Sequence, residues 1–87
     1  MSDRKTIVQQ YAAIRHAGIV NMFEKSSVIY YAHKAGLSEL CIYLIDLPTG
    51  HYAAFLQSLT EEELAAPPDK ATVEKLQDIH ALAFYSF

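Results

Sequence analysis

Apolar residues recur every three or four positions along most of the chain, which is the period of a helix with one buried face. Ile7, Tyr11 and Ile14 carry this repeat in the first segment, where Ser2 is the expected N-cap and Gly18 the expected end. The chain is therefore predicted to begin with one amphipathic helix.

A second helix is predicted after the connection "IVNMF", in which Asn21 is a typical turn residue. This helix is expected to begin at Glu24, Ser26 or Ser27 and to end at Gly36. Its predicted buried face consists of Val28, Tyr31, Ala32 and Ala35.

The run "ELCIYLI" permits two interpretations, a third helix or a short strand, because it is apolar and partly β-branched. Helix is favoured, because Ser38 is a good N-cap, Glu39 suits the first turn and Pro48 stops the run from behind. Since the segment is apolar almost all round, we expect it to be a buried central helix.

Two more helices are predicted before the only paired prolines. "HYAAFLQSL" predicts a fourth helix, and Thr60 with Glu63 matches a capping box that opens a brief fifth one. The inward residues of the fourth helix are predicted to be Tyr52, Phe55, Leu56 and Leu59.

Pro67 and Pro68 interrupt the helical pattern, because paired prolines cannot continue a helix. Asp69 or Thr72 is expected to cap a last helix beyond them. Its predicted inner face consists of Val73, Leu76, His80, Ala83 and Phe84. The predicted fold is all-α, a single small domain of five to six short helices. Residues 1–66 form its helical body, and residues 67–87 form a Pro-Pro hinge and C-terminal helix of the same domain.

The central pair of helices has the spacing of a helix-turn-helix. Ala32 would let the two helices approach, Gly36 would form the turn, and Leu37 follows it. Ile42 and Ile45 occupy the positions that anchor the second helix of that motif. The central pair is therefore predicted to be helix-turn-helix-shaped.

The residues that would read DNA are missing from this pair. A recognition helix presents long polar or basic side chains to base edges, whereas "SELCIYL" offers only Ser38, Tyr43 and the acidic Glu39. A plain helical corner is therefore favoured, and a DNA-binding regulator is the alternative. That alternative requires salt-sensitive duplex binding that weakens when Arg15, Lys25 and Lys34 are neutralised.

Composition and charge narrow the functional classes. The 87 residues are 52% apolar, and Cys41 is the single cysteine, so no internal disulfide can form and a bacterial cytoplasmic location is expected. The stretch "MSDRKTIVQQ" has no apolar run of the signal-peptide type, and the longest fully apolar run, Leu40 to Ile45, is too short to span a bilayer, so neither a signal peptide nor a membrane span is expected. The net charge is −3, with +2 over residues 1–43 and −5 over residues 44–87. Nucleic-acid binding is thus disfavoured.

Candidate catalytic and metal-binding groups are scattered. The four histidines fall at no metal-ligand spacing, and Cys41 lies in an apolar run typical of an inert core thiol. Arg4, Lys5 and Arg15 share one helix, where a solvated face is favoured over an anion site. No Gly-rich phosphate loop exists. We therefore expect a protein that is not an enzyme and needs no cofactor or metal.

The stretch "AIRHAGIVNMFEKSSVIYYAHKAGLSEL" resembles a family of small, uncharacterised phage and prophage proteins. The resemblance runs from Ile7 to about Phe55, and "NMF" followed by an acid is its most distinctive part. Glu24 stands where the pattern would have Asp. The resemblance implies a small helical fold and a phage or prophage origin, but no catalytic role.

The expected function is therefore that of a phage-type accessory protein that binds another protein and inhibits a host defence complex, for example one that handles nucleic acid. Tyr30 and Tyr31 are adjacent, so they cannot both face the core, and the exposed one is a candidate anchor. A homodimer is a further alternative. The predicted partner-binding residues are Tyr30, Glu61, Glu62, Glu63, Asp69, Glu74, Asp78, Tyr85 and Phe87.

Overall fold

The computed structural model describes residues 3–48 and 50–85, and for residues 83–85 it describes the backbone alone. Six helices lie in the described part, which contains no strand. They are α1 (Arg4–Ala17), α2 (Lys25–Lys34), α3 (Ser38–Asp46), α4 (His51–Gln57), α5 (Glu61–Ala65) and α6 (Lys70–Tyr85). The all-α prediction is confirmed, and the strand interpretation of the third segment is wrong.

α1 is the central helix, because it packs against α2, α3, α5 and α6. Its larger buried residues are Ile7, Tyr11 and Ile14, and the small side chains of Ala13 and Ala17 let neighbouring helices approach closely. This arrangement corrects the prediction that the third helix is central. α3 is buried on one side only, through Leu40, Cys41 and Leu44.

The ends of α1 follow local chemistry. Asp3 is the N-cap, and its carboxylate accepts a hydrogen bond of 3.3 Å from the backbone N–H of Lys5. The cap therefore lies one residue beyond the predicted Ser2, which is outside the described residues. Gly18 ends the helix as predicted, with φ of 66°, a left-handed conformation that glycine adopts without steric cost.

α2 and α3 pack directly against each other across a three-residue turn. α2 begins at Lys25, immediately after Glu24, in agreement with the predicted opening. Val28 and Ala32 are fully buried, and Gly36 lies in the turn with φ of 75°. These features agree with the predicted close approach of the two helices.

The start of α3 is held by a side chain from α1. Leu37 occupies the N-cap position and offers no side-chain acceptor, and the predicted cap, Ser38, is instead the first helical residue. The Gln10 amide oxygen accepts a hydrogen bond of 2.9 Å from the backbone N–H of Leu40. The Gln10 amide nitrogen donates to the Glu39 carboxylate at 2.7 Å. Gln10 thus satisfies one of the free N–H groups at this helix end.

These bonds predict an altered titration in the variant Gln10→Leu. The hydrogen bond from Gln10 is the main cause that lowers the pKa of Glu39, so the pKa should rise toward its ordinary value in this variant. Loss of the bond to Leu40 should also cost about 1 kcal/mol of stability. Carboxyl NMR titration measures the first effect and urea unfolding the second.

The sign of the pH dependence follows from the direction of that shift. A lowered carboxyl pKa stabilises the fold above the unfolded-state value, and this contribution is lost as the pH falls through the folded-state value. The stability difference between the wild type and Gln10→Leu should therefore shrink in acid. Ser38→Ala is the control, because the Ser38 hydroxyl has a smaller effect on the pKa of Glu39. An unchanged Glu39 pKa in Gln10→Leu would contradict the assignment.

α4 and α5 close one end of the domain. Tyr52 and Phe55 are buried as predicted, whereas Leu56 and Leu59 are half-buried against the core. The Tyr52 hydroxyl donates to the Met22 carbonyl, and burial raises the pKa of Tyr52 to about 12. α5 opens with the predicted capping box between Thr60 and Glu63, in which both hydrogen bonds form.

α6 folds back onto the body after the two prolines. The Asp69 carboxylate accepts hydrogen bonds from the backbone N–H and the hydroxyl of Thr72, so Asp69 caps this helix. Leu76 is fully buried in the core, while Val73 and His80 are half-buried. The predicted inner positions Ala83 and Phe84 have side chains outside the described part.

Candidate interaction surface

The outward face of α3 carries two large apolar side chains. Ile42 is 56% exposed and Ile45 is 61% exposed. The prediction that these residues anchor a helix-turn-helix is therefore wrong. α3 begins only two residues after Gly36, and this register turns Leu40 and Leu44 inward instead. Because they are three residues apart, Ile42 and Ile45 are neighbours on the helix surface.

Phe23 is a third exposed apolar side chain, and it lies two residues before a residue that contacts the end of α3. It is 81% exposed and lies in the turn before α2, where its backbone N–H donates to the Asn21 side chain at 3.0 Å. The side-chain ammonium of Lys25, two residues later, donates a hydrogen bond of 2.7 Å to the Leu47 carbonyl at the end of α3. This bond ties the turn that carries Phe23 to the helix end that carries Ile45.

Acidic side chains lie beside these apolar groups. Asp46 is exposed at the last turn of α3. Glu24 is exposed directly after Phe23, and one of its carboxylate oxygens accepts a hydrogen bond of 2.9 Å from the Ser27 hydroxyl. The combination is an apolar centre with an acidic rim, and we call Phe23, Glu24, Ile42, Ile45 and Asp46 the α3 surface. A surface of this composition fits a partner that presents apolar and basic groups together.

The exposed positions of α3 lack the basic side chains that a DNA-reading helix presents. The exposed positions of α3 offer serine, isoleucine and aspartate, and none of them is a cation. Two of the cations that the DNA-binding alternative requires already have contacts within the protein. Lys25 donates to the Leu47 carbonyl, and the Lys34 ammonium lies 5.6 Å from the centre of the Tyr30 ring. Arg15 lies on a different helix, α1.

The tyrosine pair of α2 divides as expected. Tyr30 is exposed, and its ring meets that of Tyr31 edge-on at 5.1 Å. Tyr31 is half-buried, and its hydroxyl lies 2.9 Å from Nδ1 of His80 on α6. Tyr31 therefore links two helices, and Tyr30 is the member of the pair that a partner can contact.

The acidic residues predicted to bind a partner lie on two helices, α5 and α6, and in the segment between them. Glu61 and Glu62 are exposed on α5, which packs against α1. Glu74 and Asp78 are exposed on α6, one turn apart. Five predicted residues remain. They are Glu63 and Asp69, which are described in the next paragraph, Tyr30, and the C-terminal aromatic residues Tyr85 and Phe87. Of these aromatics, Phe87 lies outside the described residues, as does the side chain of Tyr85.

Glu63 and Asp69 already have structural partners. The Arg4 guanidinium donates to both carboxylate oxygens of Glu63 at 3.1 Å, and this contact is the main cause that holds the pKa of Glu63 below its ordinary value. Asp69 caps α6 through Thr72. Both carboxylates are thus occupied within the protein, which leaves the other four acids free to contact a partner.

The described residues contain no group of three or more histidine, cysteine, aspartate or glutamate side chains arranged to hold a metal ion. Cys41 is buried, which is the setting expected of a core thiol. Within the described part of the chain, no helix has the length and apolarity needed to cross a membrane.

The comparisons with known proteins identify a family but no activity. A search against curated proteins and a search against solved structures each gave no significant match. One family model, described as a domain of unknown function, DUF5049, matches residues 3–61. These residues include α1 to α4 and therefore the whole of the α3 surface. Because the match spans well over half of the sequence, the chain belongs to the DUF5049 family.

Proposed function

We propose that this protein is a non-catalytic accessory protein of phage or prophage type that acts by binding another protein in the bacterial cytoplasm. The resemblance of the "NMF"-acid segment to phage and prophage proteins supports the origin. A host defence complex that handles nucleic acid is the target class we propose, since such complexes carry basic surfaces that suit an acidic binder.

The α3 surface is the observation that carries this proposal. The three large apolar side chains of this surface, Phe23, Ile42 and Ile45, are each more than half exposed to water. Covering such groups contributes roughly 25 cal/mol for each Å² removed from water. Clustered exposed apolar residues with a polar rim are typical of protein–protein contact sites.

The acidic rim suggests which partner surface would fit. Glu24 and Asp46 flank the apolar centre, and no cation lies on the exposed positions of α3. A partner with lysine or arginine around an apolar patch would complement both features. Glu61, Glu62, Glu74 and Asp78 are proposed to extend this complementarity through longer-range attraction.

The proposal predicts that two added charges on α3 abolish partner binding. We expect the tagged wild-type protein to capture one stoichiometric protein from nuclease-treated bacterial lysate, and Ile42→Glu/Ile45→Glu to lose it. Glutamate at these positions would place a desolvated charge in the contact. Ala53→Glu/Gln57→Glu is the matched control, since both of its positions are exposed on α4.

Two results would contradict this account. Retention of the partner by Ile42→Glu/Ile45→Glu would exclude the α3 surface as the contact. Recovery of nucleic acid alone, lost on nuclease treatment, would favour the DNA-binding regulator. A further variant with amides at the four exposed acids of α5 and α6 tests their role, and unchanged affinity would remove them from the account.

A further inference from the structure

A groove runs along α1, between this helix and the segment from Glu63 to Pro68. Its first cavity, of about 290 Å³, is floored by Val8 and Ala12 and walled by Pro67 and Pro68. A second cavity, of about 360 Å³, continues along α1 past Arg15 and His16. The two cavities share Ala12 and Ala66 as lining residues, so they form one continuous groove.

The far wall of this groove is fixed by several contacts, two of which share the Glu63 carboxylate. Arg4 holds the Glu63 carboxylate, and its guanidinium also donates to the Ser58 carbonyl at 3.1 Å. The capping box of Thr60 fixes the start of α5. Ala66 is extended, with φ of −60° and ψ of 132°, and the two prolines that follow restrict the backbone further. The groove is therefore preformed, which lowers the entropic cost of binding.

The floor of the groove is apolar although it lies apart from the main core. Val8 and Ala12 are buried, yet neither belongs to the core cluster that Ile7, Tyr11 and Ile14 form with the other helices. The adjoining prolines add apolar surface and present no backbone N–H. The middle of the groove thus favours apolar side chains of an occupant.

Exposed cations of α1 lie at both ends of these two cavities, in a chain whose net charge is −3. The acids beside them are Glu63, which binds Arg4, and Asp69, which lines an adjoining cavity of about 420 Å³ and caps α6. Lys5 is exposed at one end, and Arg15 and His16 are exposed at the other. Arg4 is neutralised by Glu63, so Lys5 and Arg15 are the cations in the described lining that lack an ion-pair partner. An occupant with a carboxylate at each end would be complementary.

We propose that this groove binds an extended segment of a partner protein with two acidic residues that flank a short apolar stretch. Lys5 and Arg15 are ten residues apart on α1, which corresponds to roughly 15 Å along the helix axis. An extended chain advances about 3.3 Å per residue, so the two acids should stand four to five residues apart. The prolines and the apolar floor hold the residues between them.

This site is separate from the α3 surface. One wall of the groove lies in α1, within the matched residues 3–61, and the other wall, from Glu63 to Pro68, lies beyond them. The inference therefore does not depend on the proposed function. Ile42→Glu/Ile45→Glu should bind a groove peptide as well as the wild type does.

The experiment uses the full chain and a labelled peptide with the core Glu-Leu-Ala-Leu-Glu, compared with its Gln-Leu-Ala-Leu-Gln counterpart. Methyl NMR should show shifts at Val8, Ala12 and Ala66 with the acidic peptide, and fluorescence anisotropy should give its affinity. Lys5→Glu/Arg15→Glu should weaken binding about tenfold or more. Lys70→Glu/Lys75→Glu makes the same charge change at exposed positions of α6 outside the groove and should bind normally.

Each possible outcome either supports the groove site or overturns it. Groove-centred shifts together with selective loss in Lys5→Glu/Arg15→Glu would establish the site. No binding of the acidic peptide, equal binding of the amide peptide, or equal loss in both charge variants would overturn it. Shifts confined to Ile42 and Ile45 would also overturn it, because they would place the peptide on the α3 surface. Circular dichroism of each variant verifies that the fold is retained.

Discussion

Leu44→Ala should lower the free energy of unfolding by about 3 kcal/mol, a large share of the stability of an 87-residue domain. The Leu44 side chain is fully buried and belongs to the core shared by α1, α2 and α3. Its truncation removes apolar contacts and leaves a cavity that the surrounding helices can fill only in part. Urea unfolding followed by circular dichroism measures the loss.

The adjacent residue supplies the matched control. Ile45 is 61% exposed, so Ile45→Ala should change stability by less than about 0.5 kcal/mol, since surface substitutions away from special features seldom exceed this. Alanine also has the higher helix propensity. If Ile45→Ala cost as much as Leu44→Ala, α3 would have the register of a helix-turn-helix anchor, and the α3 surface would not exist.

A loss of similar size, about 3 kcal/mol, is expected for Leu76→Ala on α6. Leu76 is fully buried in the same core cluster as residues of α1 and α2. It is the residue by which the helix after the prolines completes the core. The expected loss would show that α6 contributes to the stability of the whole domain, and a single cooperative unfolding transition should persist in the variant.

Leu82 lies on the same helix and distinguishes burial from residue type. It is 70% exposed, so the same change of leucine to alanine should have little effect there. An equal loss at Leu76 and Leu82 would mean that α6 packs in another orientation. A loss at neither position would mean that the body is stable without α6, and that residues 67–87 do not belong to its core.

Most helix positions could be predicted because their signals are local. Gly18 and Gly36 end helices through left-handed backbone, and Thr60 with Glu63 forms a capping box within four residues. The cap of α3 could not be predicted in the same way. Its acceptor comes from Gln10, which is 30 residues away from Leu40 in the chain.

The exposed face of α3 could not be predicted, because the segment is apolar almost all round and its sequence supports two buried faces. Leu40 and Leu44 form one apolar pair, and Ile42 and Ile45 form another, so periodicity cannot rank them. The outcome depends on the short turn after Gly36 and on the contact with α1. The central position of α1 could not be predicted either, because alanine residues do not by themselves indicate that neighbouring helices pack against them.

Some features of the candidate sites could be predicted from the sequence, and others could not. The outward position of Tyr30 follows from its adjacency to Tyr31, which the periodicity places on the buried face, because neighbouring residues on a helix face different directions. Sequence could not show that Glu63 and Asp69 have partners within the protein or that Phe23 is exposed near the end of α3. The groove beside α1 could not be predicted either, because its two walls are about 50 residues apart in the chain.

The most direct test of the central claim is the solvent exposure of the isoleucine methyl groups. A soluble paramagnetic chelate added to methyl-labelled protein broadens NMR signals of groups that reach the surface. The account predicts strong broadening for Ile42 and Ile45 and protection for Ile7 and Ile14, which are buried in α1. Protection of Ile42 and Ile45 in the monomer, with broadening at Leu40 and Leu44, would contradict the α3 surface and restore the helix-turn-helix arrangement.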